Sequence, residues 1–178
     1  MTGNGQVATS KRERSHRWAD PSASASAARE RGGLDFLQAI ASGELPPAPV
    51  SETLGFTLRE VESGRAVFEI VPAEFHYNPI GTVHGGVYAT LLDSAAGCAL
   101  HSLLPDGVGY TSLDLTVKFL RPITTDTGPL TCEGTVIHLG GRTALAEARL
   151  CGDDGRLYAH ATSTLMVFRP ERAAGNAS

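Results

Sequence analysis

The sequence has few cysteines, and they lack the spacing of a structural site. Cys98, Cys132 and Cys151 are an odd number, lie far apart and form no CxxC pair. This pattern suggests neither a disulfide framework nor a zinc knuckle. Histidine pairs such as HExxH are missing as well, so no metal site is predicted. The expected location is a reducing compartment, the cytoplasm.

A long uninterrupted apolar run is also absent. The most apolar segment, residues 83–104, contains three glycines, one aspartate and two histidines, which a membrane-spanning helix would rarely tolerate. Residues 1–31 carry six basic and three acidic side chains. Residues 32–178 therefore carry nine basic and sixteen acidic side chains, a net charge of −7. The phosphate backbone of a nucleic acid is not attracted to a domain with this negative charge. Neither a membrane nor a nucleic acid is therefore expected as a partner.

Common hydrolase and nucleotide-binding motifs, such as GxSxG, the P-loop and GxGxxG, are missing too. What the chain does contain is enough apolar material, 42% of its residues, for the core of one domain. Residues 1–31 lack apolar periodicity and are predicted to be a disordered or loosely ordered leader. Residues 32–50 predict a short helix and a Pro-rich connector, residues 51–170 the folded domain, and residues 171–178 a flexible tail.

Apolar spacing predicts one short helix, one long helix and six strands. GLDFLQAIASGEL has the spacing of the short helix, alternation around ESG predicts a hairpin, and residues 83–104 predict a helix of roughly six turns. Four strands follow, in YTSLDLTVKF, LTCEGTVIHL, TALAEARLC and LYAHATSTLMVF. In the first, Ser112 is expected on the face opposite to Val117 and Phe119.

This order of elements predicts an α+β fold in which an antiparallel sheet of five to six strands wraps around one long central helix. One helix cannot cover the whole sheet and its edges. We therefore expect edge-to-edge pairing into a homodimer, and a dimer of dimers, a homotetramer, as its extension.

Asp93 is the only Asp, Glu, Lys or Arg between residues 83 and 104. It shares a helix face with small residues and has no intrahelical ion partner. A carboxylate buried without a cation has a raised pKa, which suits a base or nucleophile; hydrogen bonding or partial exposure is the structural alternative. Gly85 and Gly86, about two turns earlier, predict an oxyanion hole, or else close packing of a helix that Thr82 caps.

The stretch NPIGTVHGGVYATLLDSAAG strongly resembles the helix-start motif of hotdog-fold acyl-CoA thioesterases, in the branch of the phenylacetate-degradation type and the acyl-CoA thioesterase 13-like proteins. The resemblance extends over about residues 54–168, through SLDL, FLRP, GRTALAEARL and DGRLYAHATSTLMVF. It implies a hotdog thioesterase domain over residues 51–170 that hydrolyses an acyl- or aryl-CoA to free acid and CoA. No cofactor is implied beyond the CoA of the substrate.

The resemblance also implies residue roles. Asp93 would be the base or nucleophile, the Gly85 backbone N–H would polarise the carbonyl, Asn78 would position water or substrate, and Ser112 would assist near the nucleophile. The site would lie between two subunits, with Asp93 beside Ser112 or Asn78 of a partner chain. Expected substrate-binding residues, which include cations for the CoA phosphates, are His84, Gly86, Asp114, Lys118, Arg121, Gly141, Arg142 and Thr143.

Three questions stay open from the sequence. A hotdog hydratase or dehydratase of acyl thioesters would also use a helix carboxylate, and a non-enzymatic acyl-CoA-binding protein would not consume its ligand. The size of the acyl group is equally open. It depends on how Tyr88, Leu92, Leu103 and the short N-terminal helix pack around the pocket.

Overall fold

Residues 10–169, which a computed structural model describes, form four α-helices and seven strands. The helices are α1 (Pro21–Glu30), α2 (Gly33–Ala41), α3 (Pro49–Leu54) and α4 (Gly85–His101). The strands are β1 (Phe56–Glu62), β2 (Arg65–Ile70), β3 (Gly109–Ser112), β4 (Thr116–Phe119), β5 (Leu130–Leu139), β6 (Thr143–Gly152) and β7 (Leu157–Phe168). Residues 1–9 of the predicted leader and the predicted tail, 171–178, lie outside the described residues.

All described strands belong to one antiparallel sheet in the order β1-β2-β5-β6-β7-β3, and β4 also pairs with β7. The sheet curves around α4, which packs against β2, β5, β6 and β7. This confirms the α+β arrangement of a sheet around one long helix. The described sheet has seven strands instead of five to six, because the segment predicted as one strand, YTSLDLTVKF, is divided into β3 and β4.

The division between β3 and β4 is a bulge that changes which side chains face the helix. Ser112 pairs with Leu165 and Thr116 with Thr162. An advance of four residues from β3 to β4 is therefore matched by an advance of only three residues along β7. One extra residue inverts the alternation of a strand. Ser112 therefore lies on the same, helix-facing side as Val117, and its predicted place on the opposite face is wrong.

Small residues let α4 lie close to the sheet. Alanines 144, 146, 148, 159 and 161 on β6 and β7 are at most 3% exposed, and the large side chains of α4 that fill the core include Leu91, Leu92 and Leu100. At Gly134 on β5 the approach is closest, because a Cβ there would lie 2.1 Å from the Ala95 carbonyl oxygen. A contact with backbone cannot be relieved by a rotamer change. Gly134 thus fixes the distance between helix and sheet.

Replacing Gly134 with alanine is expected to lower the free energy of unfolding by about 3 kcal/mol, because the added methyl group forces the helix and sheet apart. In a chain of this size that is a fall in Tm of about 6–12 °C. Gly109→Ala is the matched control, since a Cβ at Gly109 meets nothing within 4 Å. Thermal unfolding of both variants measures the difference, and equal Tm values would contradict this account of the packing.

The leader is more regular than the sequence predicts. Residues 21–30 form α1, whose first turn is capped by the Asp20 side chain, which accepts a hydrogen bond from the Ser22 N–H at 2.9 Å. Before α1, the Arg14 guanidinium lies over the Phe75 ring, 3.7 Å from its centroid. Residues 21–30 of the leader thus form a helix, which an Asp cap and a proline at the first helical position start without an apolar stripe. The description of residues 1–31 as a disordered or loosely ordered leader stays a prediction.

Candidate active site

The first turn of α4 leaves one backbone donor free for a ligand. The His84 carbonyl accepts from the Val87 N–H at 2.9 Å, and the His84 Nδ1 atom accepts from the Gly86 N–H at 2.8 Å. Among the residues that the structure describes, the Gly85 N–H has no acceptor. This N–H lies at the positive end of the helix dipole, where it can polarise a carbonyl oxygen. Of the two predicted glycines, Gly85 therefore supplies the available donor, and Gly86 is engaged by the predicted helix-start residue His84.

Two backbone hydrogen bonds fix the position of this helix start. The His84 N–H donates to the His76 carbonyl at 2.8 Å, and the Val83 N–H donates to the Ile123 carbonyl at 2.9 Å. His76 is itself buried, with Nδ1 accepting from the Ala73 N–H and Nε2 lying 2.7 Å from the Leu54 carbonyl. Burial lowers the pKa of His76. It is neutral near pH 7, and its bonds make it part of the support of the loop rather than a general base.

Asn78 holds the loop that precedes α4. Its side-chain oxygen accepts from the backbone N–H groups of Ile80 and Thr82 at 3.0 and 3.3 Å, and its side-chain nitrogen donates to the Thr82 Oγ1 atom at 3.0 Å. The amide is thus engaged at both ends by its own loop. In this chain Asn78 orders residues 78–82, and the structure does not place it beside Asp93.

Asp93 and Ser112 come together in the same chain. The Ser112 hydroxyl donates to the Asp93 Oδ1 atom at 2.8 Å, and Asp93 is half-buried on the exposed stripe of α4. The prediction that Asp93 would meet Ser112 of a partner chain is therefore wrong for this pair. The bulge after β3 explains the difference, because it turns Ser112 toward the helix. A hydrogen bond of this kind fixes the orientation of a carboxylate.

Gly85 and Asp93 cannot act on one carbonyl within a single chain. Eight residues separate them on α4, which is about 12 Å along a helix. A carbonyl oxygen bound by the Gly85 N–H would thus lie far from the Asp93 carboxylate of the same chain. The two groups meet only if a second copy supplies one of them.

A cleft of about 240 Å³ opens beside Asp93 and Ser112. Apolar side chains dominate its walls. One side comes from α2 through Leu37 and Ile40, from the following connector through Pro47 and from α3 through Val50. The N-terminal helix was expected at the pocket and is there. Of the other expected wall residues, Tyr88 and Leu92 lie in the core instead, at 4% and 0% exposure, and Leu103 packs near Gly64.

Two titratable residues of the cleft, Cys98 and Tyr110, were missed by the sequence reasoning. Burial raises the pKa of the Cys98 thiol to about 12 and that of the Tyr110 hydroxyl well above its usual value, and the nearby Asp93 carboxylate adds to both effects. Both groups therefore keep their protons near pH 7. Tyr110 lies two residues before Ser112 on β3, so a correct assignment of the Ser112 face would have identified it.

The predicted CoA-binding residues fall into two separate groups. Lys118 and Arg121 lie at or just after β4, whose Phe119 ring contacts the helix start at Gly85. Gly141 and Arg142 lie in the β5–β6 turn, and Thr143 is the first residue of β6, where it pairs with Met166. Lys118 pairs with His160, and six residues of β7 separate His160 from Met166, about 20 Å. One chain does not bring the two groups together.

Asp114 belongs to the bulge rather than to either group. Its side chain accepts from the Thr164 N–H at 3.1 Å, and its carbonyl accepts from the Ser163 hydroxyl at 2.7 Å. These bonds stabilise the break between β3 and β4. Among residues 10–169, no three His, Cys, Asp or Glu side chains are grouped as metal ligands, and none of the described helices is long and apolar enough to cross a membrane.

Comparison with known proteins gives a consistent result. Residues 80–159 match the family described as the thioesterase superfamily. A presumptive esterase of Saccharolobus solfataricus is 31% identical over 109 residues, 61% of this chain and 76% of the relative. The 1,4-dihydroxy-2-naphthoyl-CoA hydrolase of Listeria monocytogenes is 29% identical over 69% of this chain and 98% of its own length. The crystal structure of a presumptive thioesterase of Ralstonia eutropha, described as related to phenylacetic acid degradation, superposes with a TM-score of 0.66 at 30% identity, over 73% of this chain and 98% of that one.

Proposed function

Because the chain belongs to the thioesterase superfamily and is a thioester hydrolase with a hotdog fold, we propose that it hydrolyses an acyl-CoA thioester to a free acid and CoA. One observation carries the proposal: a carboxylate, oriented by Ser112, lines a largely apolar cleft. Such a cleft suits an acyl group, and the carboxylate would lie beside the thioester carbonyl of an acyl group bound there. The Listeria relative acts on a CoA thioester, which supports the choice of CoA as the thiol.

Asp93 is the proposed catalytic carboxylate, and two routes are open to it. As a base it takes a proton from water while the water oxygen attacks the carbonyl carbon, and the C–S bond then breaks to release CoA thiolate, which takes up a proton. As a nucleophile its oxygen attacks the carbonyl carbon directly and the C–S bond breaks, which releases CoA thiolate and leaves an anhydride; water then opens the anhydride to the free acid and the Asp93 carboxylate. In both routes Ser112 orients the carboxylate. The Gly85 N–H stabilises the negative carbonyl oxygen of the tetrahedral intermediate.

The proposed active unit is a homodimer, because Gly85 and Asp93 of one chain are too far apart to share a carbonyl. Leu113, Phe119 and Leu120, along the edge of the sheet that β3 and β4 form, are each at least half exposed. Burying such side chains favours pairing with a second copy. In that pairing the Gly85 of one chain faces the Asp93 of its partner. A dimer of dimers, which would extend this unit to a homotetramer, is also proposed.

For the CoA moiety we propose the groove beside the helix start. Gly85, Phe119 and Arg121 line one open cavity there, and the Arg121 guanidinium donates to the Leu157 carbonyl. Arg121 and Lys118 would bind phosphate groups, and Arg142 with Gly141 and Thr143 could reach the same CoA only from another chain. His84, Gly86 and Asp114 serve this site by ordering its backbone. A cytoplasmic location and the absence of a metal stay predictions.

Thiol release from a panel of short aliphatic, long aliphatic and aryl acyl-CoA thioesters tests the proposal, with sizing in solution on the same sample. We expect hydrolysis of at least one class, by a protein that elutes as a dimer or a tetramer. Hydration of an enoyl-CoA without thiol release would identify a hydratase instead. Tight binding of acyl-CoA without turnover would identify a binding protein.

A further inference from the structure

The cleft beside Asp93 contains a polar group that the proposed reaction does not use, the hydroxyl of Tyr110. We propose that Tyr110 is a specificity-determining residue, which donates a hydrogen bond to an oxygen atom on the acyl group of the substrate. The inference rests on the proposed function, because it concerns the acyl half of the same site. It names a substrate class: acyl groups with a carbonyl or hydroxyl oxygen at a set distance from the thioester.

The position of the Tyr110 hydroxyl along α4, relative to Asp93, follows from its contact with Gly97. A Cβ at Gly97 would lie 2.8 Å from the Tyr110 Oη atom and 3.1 Å from Cε2, so the phenol ring lies directly against the helix there. Gly97 is four residues beyond Asp93, which is about 6 Å along α4. An extended chain covers this distance in about five bonds. The hydroxyl therefore meets the acyl group about five bonds beyond the thioester carbonyl carbon.

An aromatic row holds the Tyr110 ring in this position. The centroids of the Tyr110 and His101 rings are 5.4 Å apart, and His101 in turn lies 5.5 Å from Phe36 of α2. Burial lowers the pKa of His101, so this ring is neutral near pH 7 and packs as an aromatic group. The Tyr110 hydroxyl is thus presented from a rigid support, as a recognition group should be.

The Tyr110 hydroxyl has no hydrogen-bond partner anywhere in residues 10–169. The Tyr110 side chain is only partly buried, and its oxygen is open to the cleft. The hydroxyl keeps its proton, because desolvation by the surrounding protein raises its pKa well above the ordinary value. Ser51 and Ser94 also line the cleft, but their short side chains keep the hydroxyls close to the helix backbone, whereas the Tyr110 hydroxyl lies at the far end of a rigid ring. An acceptor on the ligand is the partner that Tyr110 lacks.

Two CoA thioesters of matched shape test the inference. In 5-oxohexanoyl-CoA a ketone oxygen lies five bonds from the thioester carbonyl carbon, and 5-methylhexanoyl-CoA has a methyl group in its place. We expect the wild type to prefer the ketone. Tyr110→Phe should lower kcat/KM for the ketone about tenfold and change kcat/KM for the methyl analogue by less than about twofold, because one neutral hydrogen bond is lost. Gly97→Ala, whose new methyl group displaces the hydroxyl, should also weaken the preference.

Matched controls separate this role from a general loss of activity. Ser51→Ala removes another hydroxyl of the cleft, and Tyr158→Phe removes a tyrosine hydroxyl outside it; both should keep the preference for the ketone. The inference is overturned if Tyr110→Phe keeps it, if Ser51→Ala abolishes it, or if the wild type hydrolyses other acyl-CoA thioesters but neither of these two. Failure of the wild type to hydrolyse any acyl-CoA would instead overturn the proposed function itself.

Discussion

Asp93→Asn is expected to lower kcat for acyl-CoA hydrolysis by about a thousandfold, since it removes the group that either activates water or attacks the carbonyl. Asparagine has nearly the same shape and retains an oxygen that accepts the Ser112 hydroxyl, which now lies 2.8 Å from Asp93 Oδ1. The fold and the cleft should therefore persist. Thiol release under substrate saturation measures kcat, and a Tm close to that of the wild type shows that the fold is intact.

Asp106→Asn is the matched control for this substitution. Asp106 is an exposed residue of the turn after α4, so its loss makes the same change of charge away from the cleft. It should leave kcat within about twofold of the wild type, as surface substitutions usually do little. An Asp93→Asn enzyme as fast as this control would exclude Asp93 as base and as nucleophile. The thioesterase family assignment would survive that result, and a different catalytic group would have to be found.

Much of the fold could be predicted because local patterns are strong in the second half of the chain. LTCEGTVIHL coincides with β5, and LYAHATSTLMVF coincides with β7, since alternating apolar residues bounded by turn residues leave few other structures. The long helix begins two residues later than predicted and ends at His101. Its first predicted residue, Val83, precedes the capping residue His84, whose ring nitrogen already binds the first turn.

What could not be predicted depends on pairing between distant segments. In SLDL, polar and apolar residues alternate without a break, so the local sequence does not indicate the extra residue of the bulge. The bulge follows from the pairing of Ser112 with Leu165 and of Thr116 with Thr162. The face of Ser112, and with it the Asp93 contact, is therefore set by β7. The acyl cleft is non-local in the same way, since Ile40 and Tyr110 reach it from segments 70 residues apart.

At the start of α4, the motif GTVHGG does not by itself show which of its two glycines has a free backbone N–H. GTVHGG was expected to offer both Gly85 and Gly86 as donors, yet the His84 ring accepts the Gly86 N–H. The identity of His84 is thus part of the reason that Gly85 is the available donor. The His84 Nδ1 atom accepts this hydrogen bond and therefore faces the first turn of the helix.

Gly85→Pro provides a direct test of that donor, because proline removes the N–H and suits the first position of a helix. The preceding residue, His84, has φ −64° and ψ 137°, the conformation that a residue before proline prefers. We expect kcat to fall about a hundredfold to a thousandfold, the usual cost of losing one oxyanion donor. Gly85→Ala is the control: its Cβ also approaches the Phe119 ring, to 3.2 Å, but it keeps the N–H. Equal kcat values for the two variants would exclude the Gly85 N–H as the donor.

A mixture of the Asp93→Asn and Gly85→Pro chains tests whether each active site contains residues from two chains. When Asp93→Asn and Gly85→Pro chains are unfolded and refolded together, random pairing makes about half of the dimers mixed. If Gly85 of one chain serves Asp93 of its partner, each mixed dimer has one site with both changes and one site with neither. Activity should then return to about a quarter of the wild-type value. If each site belonged to a single chain, every site would carry a defect and no activity would return, which would contradict the shared site.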